Sequence, residues 1–192
     1  MNQLVEPFTT LLDMDLGTLR PQRAVMERRL SDLRAHFLDP DGEATAGSDA
    51  DPVVYTVYAM PVPPTGSNIQ SSTTVLQPGR VGREYFMTKG HFHEIRDRAE
   101  VYVGLAGTGR LVLATEDGRS AIEPMSRGTV GYVPGGWAHR AVNVGDEPLV
   151  FFAAYVGDAG HDYETVQRRG FPVAVVAGAD GPMVEDNPRY GG

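Results

Sequence analysis

The sequence predicts a mainly β protein with one amphipathic helix ahead of it, and three observations carry that expectation. Short runs rich in β-branched and aromatic residues recur from Val53 onward: VVYTVYAM, TTVLQ, REYFM, EVYVGL, RLVLAT, TVGYVP, LVFFAAYV and PVAVVA. Turn signals such as QPGRVG, AGTG, EDGR, PGG and VGDEP separate them at the spacing of an antiparallel sandwich or barrel. Before these runs, in PQRAVMERRLSDLRAHFL, Met26, Leu30, Leu33 and Phe37 stand four, three and four residues apart with arginines and acids between them. That is the period of an amphipathic helix.

Taken in order, Pro21 suits the first turn of this helix and Pro40 lies just beyond its end. The acidic stretch DPDGEATAGSDADP (39–52) reads as a loop. Residues 1–52 are therefore expected to be a helix and linker packed on a β-barrel formed by residues 53–192, within one structural domain. At 192 residues, with 41% hydrophobic content, the chain can bury one substantial core. PVPPTGSNIQSS (61–72) reads as the longest structureless insertion, AGTGRL as a hairpin turn, and the tail GADGPMVEDNPRYGG as mostly irregular.

A net charge of -8 and a pI near 5.0 speak against binding nucleic acid through its phosphates, which takes a concentrated basic surface. With no cysteine the chain has no disulfide, no thiolate zinc site and no cysteine nucleophile. No apolar run approaches bilayer length, and the start MNQLVEPFTT has no leader pattern. The expectation is a soluble, cytoplasmic protein without a membrane partner.

The chemistry centres on TKGHFHEIRDRAEVY (88–102). On extended backbone, residues i and i+2 share a face, so His91 and His93 present their imidazoles to one side, about 7 Å apart at the backbone. Glu100 can return on the next strand after EIRDRA, and His139 follows the turn PGG. Three imidazoles and a carboxylate describe a site for a divalent first-row metal that keeps positions open for water or substrate. His36, on the expected helix, belongs to no constellation.

The spacing of the second segment, Gly128, Pro134, Gly136, His139 and Asn143, matches the second motif of the cupin superfamily, while His91, His93, Glu100 and Gly107 resemble its first. Two departures stand out: six residues separate His93 from Glu100, where most cupins have three or four, and Tyr85 occupies the usual opening glycine. TKGHFHEIRDRAEVYVGLAGTG, YVPGGWAHRAVNVGDEPLVFFAAY and DAGHDYETVQRRGF are similar to the cupin-type glucose-6-phosphate isomerases of archaea and some bacteria, over about residues 53 to 190. The resemblance implies a double-stranded β-helix, a homodimer, and one divalent ion per subunit (iron, manganese, zinc or nickel) held by His91, His93, Glu100 and His139.

It also implies a sugar-phosphate substrate and an aldose–ketose isomerisation serving glycolysis and gluconeogenesis. Moving hydrogen between C1 and C2 of an open-chain sugar needs negative charge stabilised on its oxygens, which a metal supplies. Glu100 is then the candidate general base for an enediol route, with a metal-assisted hydride shift as the alternative. Tyr155 and His161 match active-site positions that assist ring opening or hold substrate. No Walker-type loop or dinucleotide fingerprint is present, and Tyr55, Thr74, Thr88 and Gly90 match the family's phosphate-binding positions. Alternation from His91 puts Lys89 on the ligand face and Thr88 and Gly90 on the other, so the strand must bend at Gly90 or Thr88 must reach the phosphate from its end. The competing readings are another metal cupin enzyme, such as a dioxygenase or epimerase, and a non-catalytic sugar-phosphate-binding cupin.

Overall fold

A computed structural model describes residues 5–22, 24–45 and 49–191. In chain order its elements are β1 (Leu11–Leu12), β2 (Leu19–Arg20), β3 (Ala24–Arg29), the short helix α1 (Leu30–Leu33) and, after a 3-10 turn at Arg34–His36, β4 (Val53–Ala59) and β5 (Ile69–Leu76). The two-residue strands β6 (Arg80–Val81) and β7 (Glu84–Tyr85) come next, then β8 (Glu100–Ala106), β9 (Thr108–Thr115), β10 (Ser120–Ser126), β11 (Val130–Val133), β12 (Trp137–Asn143) and β13 (Leu149–Val156). Helix α2 (Tyr163–Arg169) and the hairpin of β14 (Val173–Gly178) and β15 (Gly181–Asp186) complete the chain.

The chain is mainly β and wraps between two sheets. A six-stranded sheet runs β11-β8-β13-β5-β4-β3 and a three-stranded sheet β10-β9-β12, so successive strands from β10 to β13 change sheet at every connection. This is the alternation of a double-stranded β-helix. Residues of both sheets, including Tyr102 and Phe151 from one and Leu111, Leu113 and Ala141 from the other, meet in one hydrophobic core. Bridges from Met87 to Val142 and from His91 to His139 carry the 87–91 segment along β12 and so widen the smaller sheet. A further sheet, β15-β14-β7-β6, lies at the end of that segment.

Four expectations are corrected. The helix expected over Pro21 to Leu38 is not formed: Ala24–Arg29 is a strand, and only residues 30–36 are helical. Pairing of β3 with β4, Met26 opposite Val57 and Arg28 opposite Tyr55, offers six residues a ladder of hydrogen bonds and a face on the barrel, and such pairing outweighs weak helix propensity. The apolar positions still go inward, Met26 from a strand, Leu30 and Leu33 from the single helical turn, and Phe37 from the end of the 3-10 turn.

The arch Ala106–Thr108 is no hairpin, because β8 and β9 belong to different sheets. Gly107 has φ +76°, and a Cβ there would overlap the Pro148 carbonyl oxygen, so only glycine fits the crossing. Within 61–72, Ile69–Ser72 already belongs to β5, opposite β13. The tail forms β15 against β14 rather than irregular chain. Among the described residues no helix is long and apolar enough to cross a membrane.

Candidate active site and metal centre

His91 and His93 sit on an extended segment outside the main ladders, fixed at both ends. His91 exchanges backbone hydrogen bonds with His139 of β12, and Phe92 pairs with Asp162. The following turn is locked by arginines. Arg96 donates to the His93 carbonyl, to Glu116 (2.9 Å) and to Asp162 (2.5 Å), while Arg98 forks onto Asp158 at 2.8 and 3.1 Å. Asp162 in turn accepts the Thr165 N–H and caps α2. This longer turn returns Glu100 to the imidazoles as the first residue of β8.

One ligand atom from each of His91, His93, Glu100 and His139 lies within 4.8 Å of all the others. His93 Nδ1 is 2.8 Å from the Arg98 carbonyl and His139 Nδ1 3.3 Å from the Trp137 carbonyl. These contacts place the ring proton on Nδ1 and leave Nε2 as the donor of a lone pair. His93 Nε2 stands 3.1 Å from Glu100 Oε2, two lone pairs that a proton or a cation must bridge. His139 Nε2 stands 2.9 Å from the same oxygen, yet lacks the alignment of a hydrogen bond and, like His91 Nε2, is buried without a partner. Buried imidazole nitrogens orphaned around one carboxylate fit a cation, which satisfies all of them together.

The charges agree. Burial first, then the neighbouring His139, drive the pKa of His91 well below its ordinary value and keep it a neutral ligand. Burial alone would lower His93, but its hydrogen bonds to Glu100 and Arg98 outweigh that and raise it. Burial opposes the charge on Glu100, while the charge of the neighbouring His139 and the close approach of His139 Nε2 and His93 Nε2 overcome the opposition and hold its carboxyl far below the usual range.

The centre opens into a cavity of about 340 Å³ whose wall includes Tyr55, Thr74, Thr88, Gly90, Tyr155 and His161, so every expected site residue lines it except His93, which is buried beside it. A larger concavity of about 860 Å³ contains none of them. The rings of Tyr155 and His161 lie 5.9 Å from His93 and 4.4 Å from His91 respectively. Gly90 has φ +76°, with Phe171 and Arg140 filling the place of a Cβ. That bend lets Thr88 and Gly90 face the cavity together with His91. Thr88 Oγ1 accepts the Ala141 N–H, which leaves its own proton to donate. Tyr55 accepts from the Lys89 backbone and the Arg28 side chain, although burial, assisted by Tyr163, pushes its pKa up to about 12.

Several cavity residues were not foreseen. Tyr102, buried and hydrogen-bonded to Glu100, has its pKa raised far above normal by burial and by that carboxylate. Its position two residues after Glu100 on β8 was the available signal. Tyr163 stacks on His161 at 5.6 Å and sits under Lys89 Nζ at 5.1 Å. Arg28, which bonds to the wall residue Tyr55 without lining the cavity itself, was hidden within the expected helix.

The family model for glucose-6-phosphate isomerase matches residues 27–188. The chain belongs to this family. Among the glucose-6-phosphate isomerases to which it is similar, that of Pyrococcus horikoshii is 46% identical over 185 residues, covering 96% of this chain and 97% of that protein. The Thermococcus kodakarensis enzyme is 47% identical over 180 residues, with 93% and 95% covered. The Sinorhizobium medicae enzyme is 34% identical over 171 residues, with 88% and 80% covered. A solved structure of Bacillus subtilis oxalate decarboxylase aligns with 56% of this chain and 27% of its own, at 27% identity and a TM-score of 0.43. Within the isomerase family match lie all four ligand-bearing residues and the whole cavity wall apart from Met26.

Proposed function

We propose that the chain interconverts glucose 6-phosphate and fructose 6-phosphate with one divalent ion per subunit, held by His91, His93, Glu100 and His139. The observation that carries this is the convergence of four donor groups within 4.8 Å at a cavity of about 340 Å³. An ion there supplies stabilisation for negative charge developing on the sugar oxygens.

The chain's own residues do the rest. The Thr88 hydroxyl, Thr74, Tyr55 and the backbone at Gly90 hold the phosphate end, while Arg28 adds positive charge beside Tyr55 and Lys89 over Tyr163. Tyr155 and His161 flank the imidazoles, where they orient the open chain and assist ring opening. Glu100 is enclosed by His93, His139 and Tyr102, so taking a proton would cost it contacts with each. Isomerisation in deuterated water tests the route: deuterium at the transferred carbon assigns proton transfer through an enediol and excludes the hydride shift.

The working unit is proposed as a cytoplasmic homodimer in glycolysis and gluconeogenesis, each chain one structural domain. A monomer by light scattering would remove the dimer. The deciding experiment strips the protein with chelator and follows fructose 6-phosphate to glucose 6-phosphate before and after restoring single ions (iron, manganese, zinc or nickel). Turnover that returns with an ion supports the assignment, and sugar-phosphate binding without turnover under every ion overturns it. Mannose 6-phosphate, added in the same assay, tests breadth of substrate.

A further inference from the structure

A second cavity of about 350 Å³ lies on the other face of β12, walled by Ala35–Leu38, the C-terminal half of α2 and the tail around Asn187. Four basic side chains line it: His36, Arg140, Arg168 and Arg189. Elsewhere Arg29, Arg83, Arg96, Arg98 and Arg119 each face a carboxylate. Among the described residues, none of the three cavity arginines forms an ion pair, in a chain where 25 acids outnumber 17 bases.

Arg140 is the decisive member. It is 6% exposed, lies flat on Phe171 at 4.1 Å, and donates to Lys89 O at 3.0 Å and Met87 Sδ at 2.8 Å, while its Nε is buried without a partner. Its closest carboxylate neighbour in charge, Glu84, accepts the Leu38 N–H at 2.6 Å, and burial pushes the Glu84 pKa up in spite of Arg140 and Arg189. A buried guanidinium with donors to spare calls for an anion. We propose that this cavity is a second ligand site, for the phosphate group of a small anion, bound between Arg140, Arg168 and Arg189 outside the barrel. Guanidinium forks match phosphate oxygens geometrically, and the cavity is within the roughly 300–1,000 Å³ range that holds small molecules. His36 reports the local field: burial and then Arg140, Lys89 and Arg189 lower its pKa to about 4.

The site goes beyond the isomerase reading and is tested without turnover. Equilibrium dialysis of the metal-loaded full chain with labelled inorganic phosphate should give one equivalent more than the Arg168→Gln/Arg189→Gln double variant, whose affinity at that site falls by about tenfold or more. Fructose 6-phosphate added in excess identifies the source. If it displaces the extra equivalent, phosphate monoesters are the ligands; if it leaves that equivalent in place, free orthophosphate is. Arg168→Gln alone, at an exposed position, serves if the double variant fails to fold and should also weaken the extra site. Equal phosphate counts and affinities in wild type and variant would overturn the proposal.

Discussion

His139 and Arg140 are consecutive residues of β12, and the two cavities they line differ in almost everything but size, about 340 against 350 Å³. His139 joins two imidazoles and a carboxylate on the inner face, an assembly of lone pairs that selects a cation. Arg140 joins two further arginines and His36 on the outer face, an assembly of donors that selects an anion. Period two along a strand separates them with no domain boundary and no insulating layer beyond the strand itself. The contrast shows how an acidic protein keeps opposite electrostatic environments one residue apart.

The strongest way to break the contrast is His139→Ala. Bound metal affinity and turnover should both fall about 100-fold or more, since losing even an outer-shell partner costs roughly 10–100-fold. Elemental analysis and a coupled assay give the two values, and Arg140→Met should retain its full metal complement in the same analysis. Chelation comes next. An ion at a hundred times its Kd contributes about 2.7 kcal/mol, so stripping it should lower Tm by about 5–10 °C in calorimetry for a chain of this size. An unchanged Tm with metal demonstrably removed would count against four-ligand binding.

Tyr102→Phe sharpens the inner site. Removing the hydroxyl beside Glu100 should weaken metal binding by about tenfold, read by competition with a chromogenic chelator. The smallest effect belongs to the outer cavity. His36 has its pKa lowered from 6.5 to about 4, so the unfolded chain takes up its proton before the folded one. Its stability contribution is complete above pH 6.5 and is lost as pH falls toward 4. His36→Asn should flatten urea stability over that window by about 1 kcal/mol, a figure reduced for partial solvent exposure.

Much of the inner site was legible because its residues keep fixed spacings: His91 and His93 alternate, and Glu100 and His139 come after turns written in glycine, proline and charge. The bend at Gly90 was one of two arrangements the alternation allowed, the other being Thr88 reaching the phosphate from its end, and the positive φ of Gly90 selects the first. What escaped depended on partners distant in sequence. Met26, Leu30, Leu33 and Phe37 satisfy a helical period, but β4 claims the first of them for a strand. Turn chemistry at Ala106–Thr108 names a reversal and says nothing of which sheet receives the next strand. The outer cavity escaped because Arg140, Arg168, Arg189 and His36 share no spacing and meet only when the tail and the α1 region fold over β12.

The bridge between His91 and His139 also bears on synthesis. The four residues of the histidine–glutamate cluster span positions 91 to 139, and β3 and β13 must still close around them. An emerging chain therefore carries only fragments of the coordination sphere until β12 has left the ribosome, and long-range strand pairing is slow to form. Such a chain lacks the completed cluster, and the N-terminal strand β3, paired with β4, waits longest for the rest of the wall.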